Sequence, residues 1–416
     1  LRFRTVGTIA LKEAARSAAT SRRHHARHAL VVTQVALALT LMIVSGLMLR
    51  TFAALLKVHP GYVRPDEVLT FRVAIPNGLI ADDQEAARTL QNVAERVAQV
   101  PGVASVGLAS AITMDGEDNG NPFYVDGIPR TDPPMRRYRS VGPGLVETMG
   151  NRMVAGRPVT WSEIHERRPV IMISEALARE YWNDPADAIG RRVGGSPADS
   201  WREVVGVVGD ERDDGLSRPA TPIVYWPVLN ENYRWRRMAY VVRSTRARTT
   251  QFVREVQQAV WSVNPSLPLA QIETLDEIEA RAMSRTSFVM VMIGIAAAVA
   301  LLLGVVGLYG VIAYAAAQRT RETGIRLALG AQVGHVRRLF LRQGVTLTAV
   351  GIGIGIALAI GVSRVMSALL FGVGHVDVLT YATMSVELFG VALLATYLPA
   401  RRASRVDPLI ALRGEL

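Results

Sequence analysis

No cysteine occurs anywhere in the 416 residues. Disulfide staples, thiolate metal sites and cysteine nucleophiles are therefore excluded, while the compartment stays open. Lysine is almost as scarce, with Lys12 and Lys57 the whole complement, so the positive charge is nearly all arginine. Neither lysine follows a glycine-rich run. A phosphate loop needs backbone amides and a lysine to neutralise the phosphates, so this chain cannot bind ATP in that way. No trio of nucleophile, base and orienting group can be assembled, and no catalytic, cofactor or metal residue is assigned.

Charge is missing over long stretches, and those stretches organise the chain. Phe288 to Ala317 carries no charged residue, thirty positions in a row. A bilayer core needs roughly 20 helical residues, so this run spans a membrane and projects beyond it. Three further apolar runs follow the same logic, which overrides the two or three soluble domains that length alone suggests. The expected divisions are 1–28, a cytoplasmic segment; 29–49, the first span; 50–285, an extracytoplasmic domain; and 286–317, the second span with its stalk. After these come a cytoplasmic segment at 318–343, spans at 345–362 and 381–398, and a cytoplasmic tail at 399–416. The first run is too long for the apolar core of a signal peptide, and no small-residue cleavage site follows it.

The net charge of +11 resembles nucleic-acid binding until it is located. Residues 1–28 carry seven Lys/Arg and one acid, residues 318–343 six and one, and residues 399–416 four and two. The excess thus flanks the apolar runs, which places both termini in the cytoplasm and argues against a nucleic-acid partner.

Within 50–285, Val68–Ile75 reads as a strand, Asp82–Gln99 as an amphipathic helix, and Val103–Ala109 as a second strand. Ala239–Arg243, Thr249–Val263 and Pro268–Ile272 repeat that order near the far end. Two distant β-α-β units predict a split α+β subdomain whose sheet is built from both ends of the segment. A β-rich insertion over roughly 120–230 lies between them, with strands at Val170–Ile173 and Glu203–Val208. Leu275–Ser287 is helical in pattern without a breaker before Phe288, so one helix should run from the soluble domain into the membrane. The fold class is therefore four transmembrane helices plus an α+β extracytoplasmic domain.

Several patterns invite chemistry and are better read otherwise. Gly351-Ile-Gly353-Ile-Gly355 lacks the third glycine of a dinucleotide loop and sits among apolar residues. Gly351 and Gly355, and then Gly353, Ala357 and Gly361, instead make small-residue stripes for helix packing; Gly304, Gly307 and Gly310 do the same in the second span. His24 and His28 have metal-ligand spacing but no third ligand, and read as part of a basic cap. Asp210, Glu211, Asp213 and Asp214 form an acidic loop in which Arg212 occupies a position where calcium would need oxygen, so a surface turn is expected. Glu387 lies in the fourth span, either as a pathway or interhelical residue or near the interface.

Two motifs are specific. Gln318-Arg319-Thr320-Arg321-Glu322-Thr323-Gly324-Ile325-Arg326-Leu327-Ala328-Leu329-Gly330-Ala331 follows the second span, and Pro399-Ala400-Arg401-Arg402-Ala403 through Pro408-Leu409-Ile410-Ala411-Leu412-Arg413 closes the chain. With Gly156-Arg157, Ser174 to Trp182 and Ile189-Gly190-Arg191-Arg192, these resemble MacB/FtsX-like permease subunits of type VII ABC systems. Thr323 stands where that family usually has isoleucine. The resemblance implies a bacterial inner-membrane subunit with a periplasmic core domain. It implies pairing as a homodimer or with a homologous permease half, and docking on a separate cytoplasmic ABC ATPase. Arg321, Glu322, Gly324, Ile325, Arg326, Ala328, Leu329 and Gly330 would make that dock. ATP-driven motion would be relayed to the periplasm for export or extraction of a substrate, with a periplasmic adaptor as a further candidate partner. The alternative is a signalling scaffold that regulates a periplasmic partner such as a cell-wall hydrolase without transport. Leu11-Lys12-Glu13 and the basic run after it are similar to the second half of tandem-duplicated permeases. With Leu1 in place of methionine, this implies the trailing half of such a protein.

Overall fold

The structure is a computed structural model that describes residues 3–117, 119–196, 201–229, 236–318 and 333–403. The chain divides into two compact units, Leu1–Lys57 with Thr286–Leu416, and Val58–Arg285.

In the first unit, α1 runs Phe3–Leu55, α7 Leu275–Gln318 (its first eleven residues belong to the second unit), α8 Val333–Val365 and α9 Val378–Ala403. Four segments of these helices are long and apolar enough to cross a membrane: Ala26–Leu55, Ser287–Ala315, Leu341–Leu369 and Val378–Arg401. Three of them extend beyond the runs expected from charge alone, because a helix continues through its flanking polar turn. Val31, Val35, Leu39, Ile43 and Leu47 recur at helical spacing on α1 and are buried with Ala359 of α8, Leu388 and Ala392 of α9, and Leu308 and Ile312 of α7. That stripe makes α1 the centre of its bundle, whereas α7 leaves most of its apolar surface open.

The second unit is a mixed sheet with helices against it. Its strands are β1 Val68–Ala74, β2 Ser105–Ala109, β3 Gly120–Pro122, β4 Tyr124–Val125, β5 Met135–Val141 and β6 Met153–Gly156. They continue as β7 Val170–Ser174, β8 Arg192–Gly194, β9 Arg202–Val208, β10 Ile223–Pro227, β11 Arg237–Arg243 and β12 Leu269–Thr274. The order is β12-β1-β11-β2-β5-β10-β7-β9-β8-β4, with β3 on β5 and β6 on β9. Strands from the two ends of the segment thus lie side by side, β1 between β11 and β12. The helices α2 (Asp83–Ala98) and α6 (Thr250–Val263) contribute Leu90, Val93, Val97, Phe252, Val256 and Val260 to the core beneath those strands. Asp82 and Thr249 cap them by accepting from Glu85 N and Phe252 N, which satisfies amides that a helix start leaves unpaired. Phe71 stacks on Tyr240 at 5.1 Å, and the Tyr240 hydroxyl donates to Leu90 O at 2.9 Å.

A second core gathers Phe123, Ile171, Ile173, Leu177, Val204, Val207 and Val224 around β7, β9 and β10. Of the three short helices, α5 (Glu175–Arg179) contributes Leu177 and Ala178 to this core, α4 (Trp161–His165) contributes Ile164 to the first core, and α3 (Leu145–Met149) follows β5 in sequence order. The two parts of the sheet meet where β2 pairs with β5 at one rung, Ala109 opposite Val141.

Candidate functional site

Arg321, Glu322, Gly324, Ile325, Arg326, Ala328, Leu329 and Gly330 lie outside the described residues, as does the end of the chain from residue 404. The glycines of the spans are described, and they differ. A methyl group on Gly351 would come within 2.6 Å of Val35, and one on Gly355 within 3.0 Å of Ala36 O and Leu39. Gly304 and Gly307 face Gln34 of α1. Among the described residues, nothing lies within 4 Å of where a side chain would sit on Gly310, Gly353 or Gly361.

At the far end of this bundle, Asp377 caps α9, a role that no sequence motif marks. Its carboxylate accepts from Thr380 N at 2.9 Å and from the Thr380 hydroxyl, and pairs with Arg50 of α1. Those bonds, the Thr380 hydroxyl first, hold the carboxyl below its ordinary pKa. Thr51 accepts from Phe371 N, and Ser363 shares a 3.0 Å hydrogen bond with Tyr381. Arg50 and Thr51 thereby tie the turn to α1, and the Ser363–Tyr381 bond joins α8 to α9. Glu387 is exposed on α9, nine residues past Val378. That is about 13 Å from the start of the helix, inside the apolar segment Val378–Arg401. His28 reaches Gln343 of α8 at 3.1 Å.

A dense polar site lies in the second unit, and here the expectation of a surface turn at 210–214 is corrected. Glu211 is 2% exposed and Asp213 9%. Arg139 of β5, 1% exposed, bridges them, with Nη1 2.6 Å from Glu211 Oε2 and Nη2 2.9 Å from Asp213 Oδ1. Arg137, two residues earlier on the same face of β5, holds Asp213 and Asp214. The physical reason is charge matching: burying a carboxylate is expensive unless paired, and the strand supplies two guanidinium groups in register with the loop. Burial opposes the charge on Arg139, but the two carboxylates outweigh it and raise its pKa. The Tyr225 hydroxyl donates to Glu211 Oε1 at 3.2 Å, and burial with that neighbour pushes its pKa well up. Alternating arginines in Met135-Arg136-Arg137-Tyr138-Arg139 and the acidic run at 210–214 were the available signal, although their pairing depends on register.

The same loop touches the segment that leaves α1. Arg212 N donates to Pro60 O at 3.0 Å, and a methyl group on Gly61 (φ +102°) would come within 2.4 Å of Asp210 O. Tyr62 follows, buried, and donates to Glu279 at 3.0 Å. Glu279 lies in the part of α7 that belongs to the second unit. The segments nearest the two membrane connections therefore meet each other and the buried ion pairs. Elsewhere His165 sits 2.6 Å from Gln91 and stacks on Trp161, its pKa lowered by burial and by Arg88. That is a packing role.

Comparison with known proteins adds sequence relationships. A family model described as MacB-like periplasmic core domain matches residues 29–259, and one described as FtsX-like permease C-terminal matches residues 294–408. The macrolide export ATP-binding/permease protein MacB of Chromobacterium violaceum is 28% identical over 311 residues, 70% of this chain and 47% of that protein. The pyoverdine export ATP-binding/permease protein PvdT of Pseudomonas fluorescens is 30% identical over 225 residues, 51% of this chain and 33% of that one. The chain thus spans less than half the length of either relative. A crystal structure of the periplasmic region of MacB from Actinobacillus actinomycetemcomitans aligns with 55% of this chain and 97% of its own, at 16% identity and a TM-score of 0.37.

Proposed function

The chain belongs to the family of the MacB-like periplasmic core domain and the FtsX-like permease, and from that premise we propose that it is the permease component of an ABC-type export system. Both matching models are permease regions, and the sequence carries no glycine-lysine phosphate loop. Nucleotide hydrolysis is therefore assigned to a separate ATPase that docks on residues 321–330 from the cytoplasm. The orientation follows from the basic clusters, which put both termini inside and the Val58–Arg285 unit in the periplasm of an inner membrane.

The working step is a relay of motion. The observation that carries it is α7, one helix from Leu275 to Gln318 that begins in the soluble unit and ends just before the docking segment. At 1.5 Å per residue it is about 65 Å long, enough to cross a bilayer with a stalk to spare. We read the β12-β1-β11-β2 region as the split β-α-β subdomain that receives this motion. Two copies, or this chain with a homologous half, would form the working pair, with a periplasmic adaptor as a further partner. Relatives named for macrolide and pyoverdine export weigh against the scaffold alternative.

The test is purification of the full chain from its own host, with cysteine labelling of single-cysteine variants in the native cysteine-free background. Recovery of an ATPase, with residue 326 labelled from the cytoplasmic side, is expected. Labelling of that position from the outside, or purification that never recovers an ATPase, would sink the proposal.

A further inference from the structure

Four donors from four different places in the chain converge on the Glu211 carboxylate. Oε2 accepts from the Thr113 hydroxyl, just after β2, and from Arg139 of β5. Oε1 accepts from Tyr225 of β10 and from Asn151, two residues after α3, at 3.2 and 3.3 Å. Asp213 adds the Met114 amide at 3.2 Å. Through Thr113, Met114 and Arg139 the loop grips β5 and the segment that follows β2, one on each side of the β2–β5 rung. That rung is itself held by Ser110 N to Ser140 O at 2.7 Å and Gly142 N to Leu108 O at 2.9 Å. Through the Arg212 amide and the close approach of Gly61, it grips the Pro60–Tyr62 segment on its other side.

A buried ion pair is weak evidence for stability, since well-packed apolar residues often serve as well. What it does supply is a fixed geometry, because each donor must stay within hydrogen-bond reach or leave a buried charge unpaired. Gly61 supports this reading independently: its left-handed backbone and lack of a side chain let the exit segment lie directly on the loop.

We infer that Glu211 is a positioning residue that couples the Pro60–Tyr62 segment to the rung joining β2 and β5. A displacement entering the soluble unit at residues 60–62 is thereby delivered to the middle of its sheet. The functional meaning rests on the relay proposed above, but the coupling itself is tested without an ATPase. Failure of one is therefore distinguishable from failure of the other.

The experiment is hydrogen exchange on the full chain in lipid nanodiscs, comparing wild type, Gly61→Ala, Glu211→Ala and the double variant. Gly61→Ala forces the exit segment off the Asp210–Glu211 backbone, and is expected to speed exchange at the Ser110 and Gly142 amides about tenfold. Glu211→Ala should speed exchange at the same amides and at Arg212. The double variant should add nothing at Ser110 and Gly142 beyond Glu211→Ala, while Ile171 and Ile173 of β7 keep wild-type protection. Additive effects, no response to Gly61→Ala at the rung, or a uniform loss of protection across both cores would each overturn the inference. If Glu211→Ala does not fold, Tyr225→Phe takes its place, removing one donor and keeping the ring. It should then reduce the response to Gly61→Ala by at least about threefold, and an undiminished response overturns the inference.

Discussion

The side-chain amide of Gln34 lies on the bare backbone of Gly307, so close that a methyl group there would stand 2.0 Å from Gln34 Oε1. This contact places α7 against α1 in the membrane, together with Leu308 and Ile312 from the same turns. A larger residue must push the helices apart. Gly307→Leu should therefore destabilise the bundle by about 1–3 kcal/mol. Gly310→Leu, with open space around it, should change the stability of the single chain by less than about 0.5 kcal/mol. Thermal unfolding of both variants in detergent checks this, and equal effects would show that Gly307 has no special contact.

Asp377 closes the α8–α9 turn by capping α9 and pairing with Arg50. Replacing it with alanine removes both roles, and a lost cap alone is worth about 1 kcal/mol. Hydrogen exchange at residues 370–381 should rise about fivefold in Asp377→Ala and much less in Asp377→Asn, which still caps. Equal rises would assign the effect to the ion pair instead.

Acid should loosen α4 in a defined window. Arg157 forms a double hydrogen bond to Glu163 and, with the Thr160 cap, lowers the Glu163 pKa from 4.5 to about 2. A carboxylate with a depressed folded pKa stabilises above its unfolded value, and that contribution is lost as pH falls through the folded one. Protection around Thr160–His165 should hold above about pH 4.5 and decline towards about pH 2. The loss should be only about 1 kcal/mol, because Arg157 is half exposed. Glu163→Gln should flatten this pH dependence, and a profile as steep as wild type would move its cause elsewhere.

In the proposed docking segment, Glu322→Lys reverses a charge and Gly324→Pro removes a backbone N–H and fixes φ. Each should reduce recovery of the ATPase with the purified chain by at least about tenfold while leaving membrane insertion intact. Wild-type recovery and activity in both variants would show that the dock is elsewhere.

The contrast between the acidic loop and the apolar runs explains what could be read without coordinates. The interior faces of α2 and α6 were legible because their apolar residues recur at 3.6-residue spacing, and β1, β7 and β9 because short apolar runs end at turn residues. The burial of Glu211 and Asp213 is not legible in the sequence, because four acids in five positions form no core pattern. Their partner Arg139 lies 72 residues from Glu211, and only the register of β5 against β10 brings that arginine to the loop. The span glycines show the same limit. All of them satisfy small-residue spacing, yet Gly351, Gly355 and Gly307 meet α1 while Gly310 and Gly353 meet nothing among the described residues.

Span number, the expected side of each basic cluster and family resemblance came from the residues alone, because hydrocarbon length, charge and motif spacing are properties of a continuous stretch. Which carboxylates are buried, which glycines touch a neighbour and how the exit from α1 reaches the sheet were decided only in three dimensions. Each depends on atoms far apart in the chain arriving within a few ångströms, and no local pattern encodes that meeting.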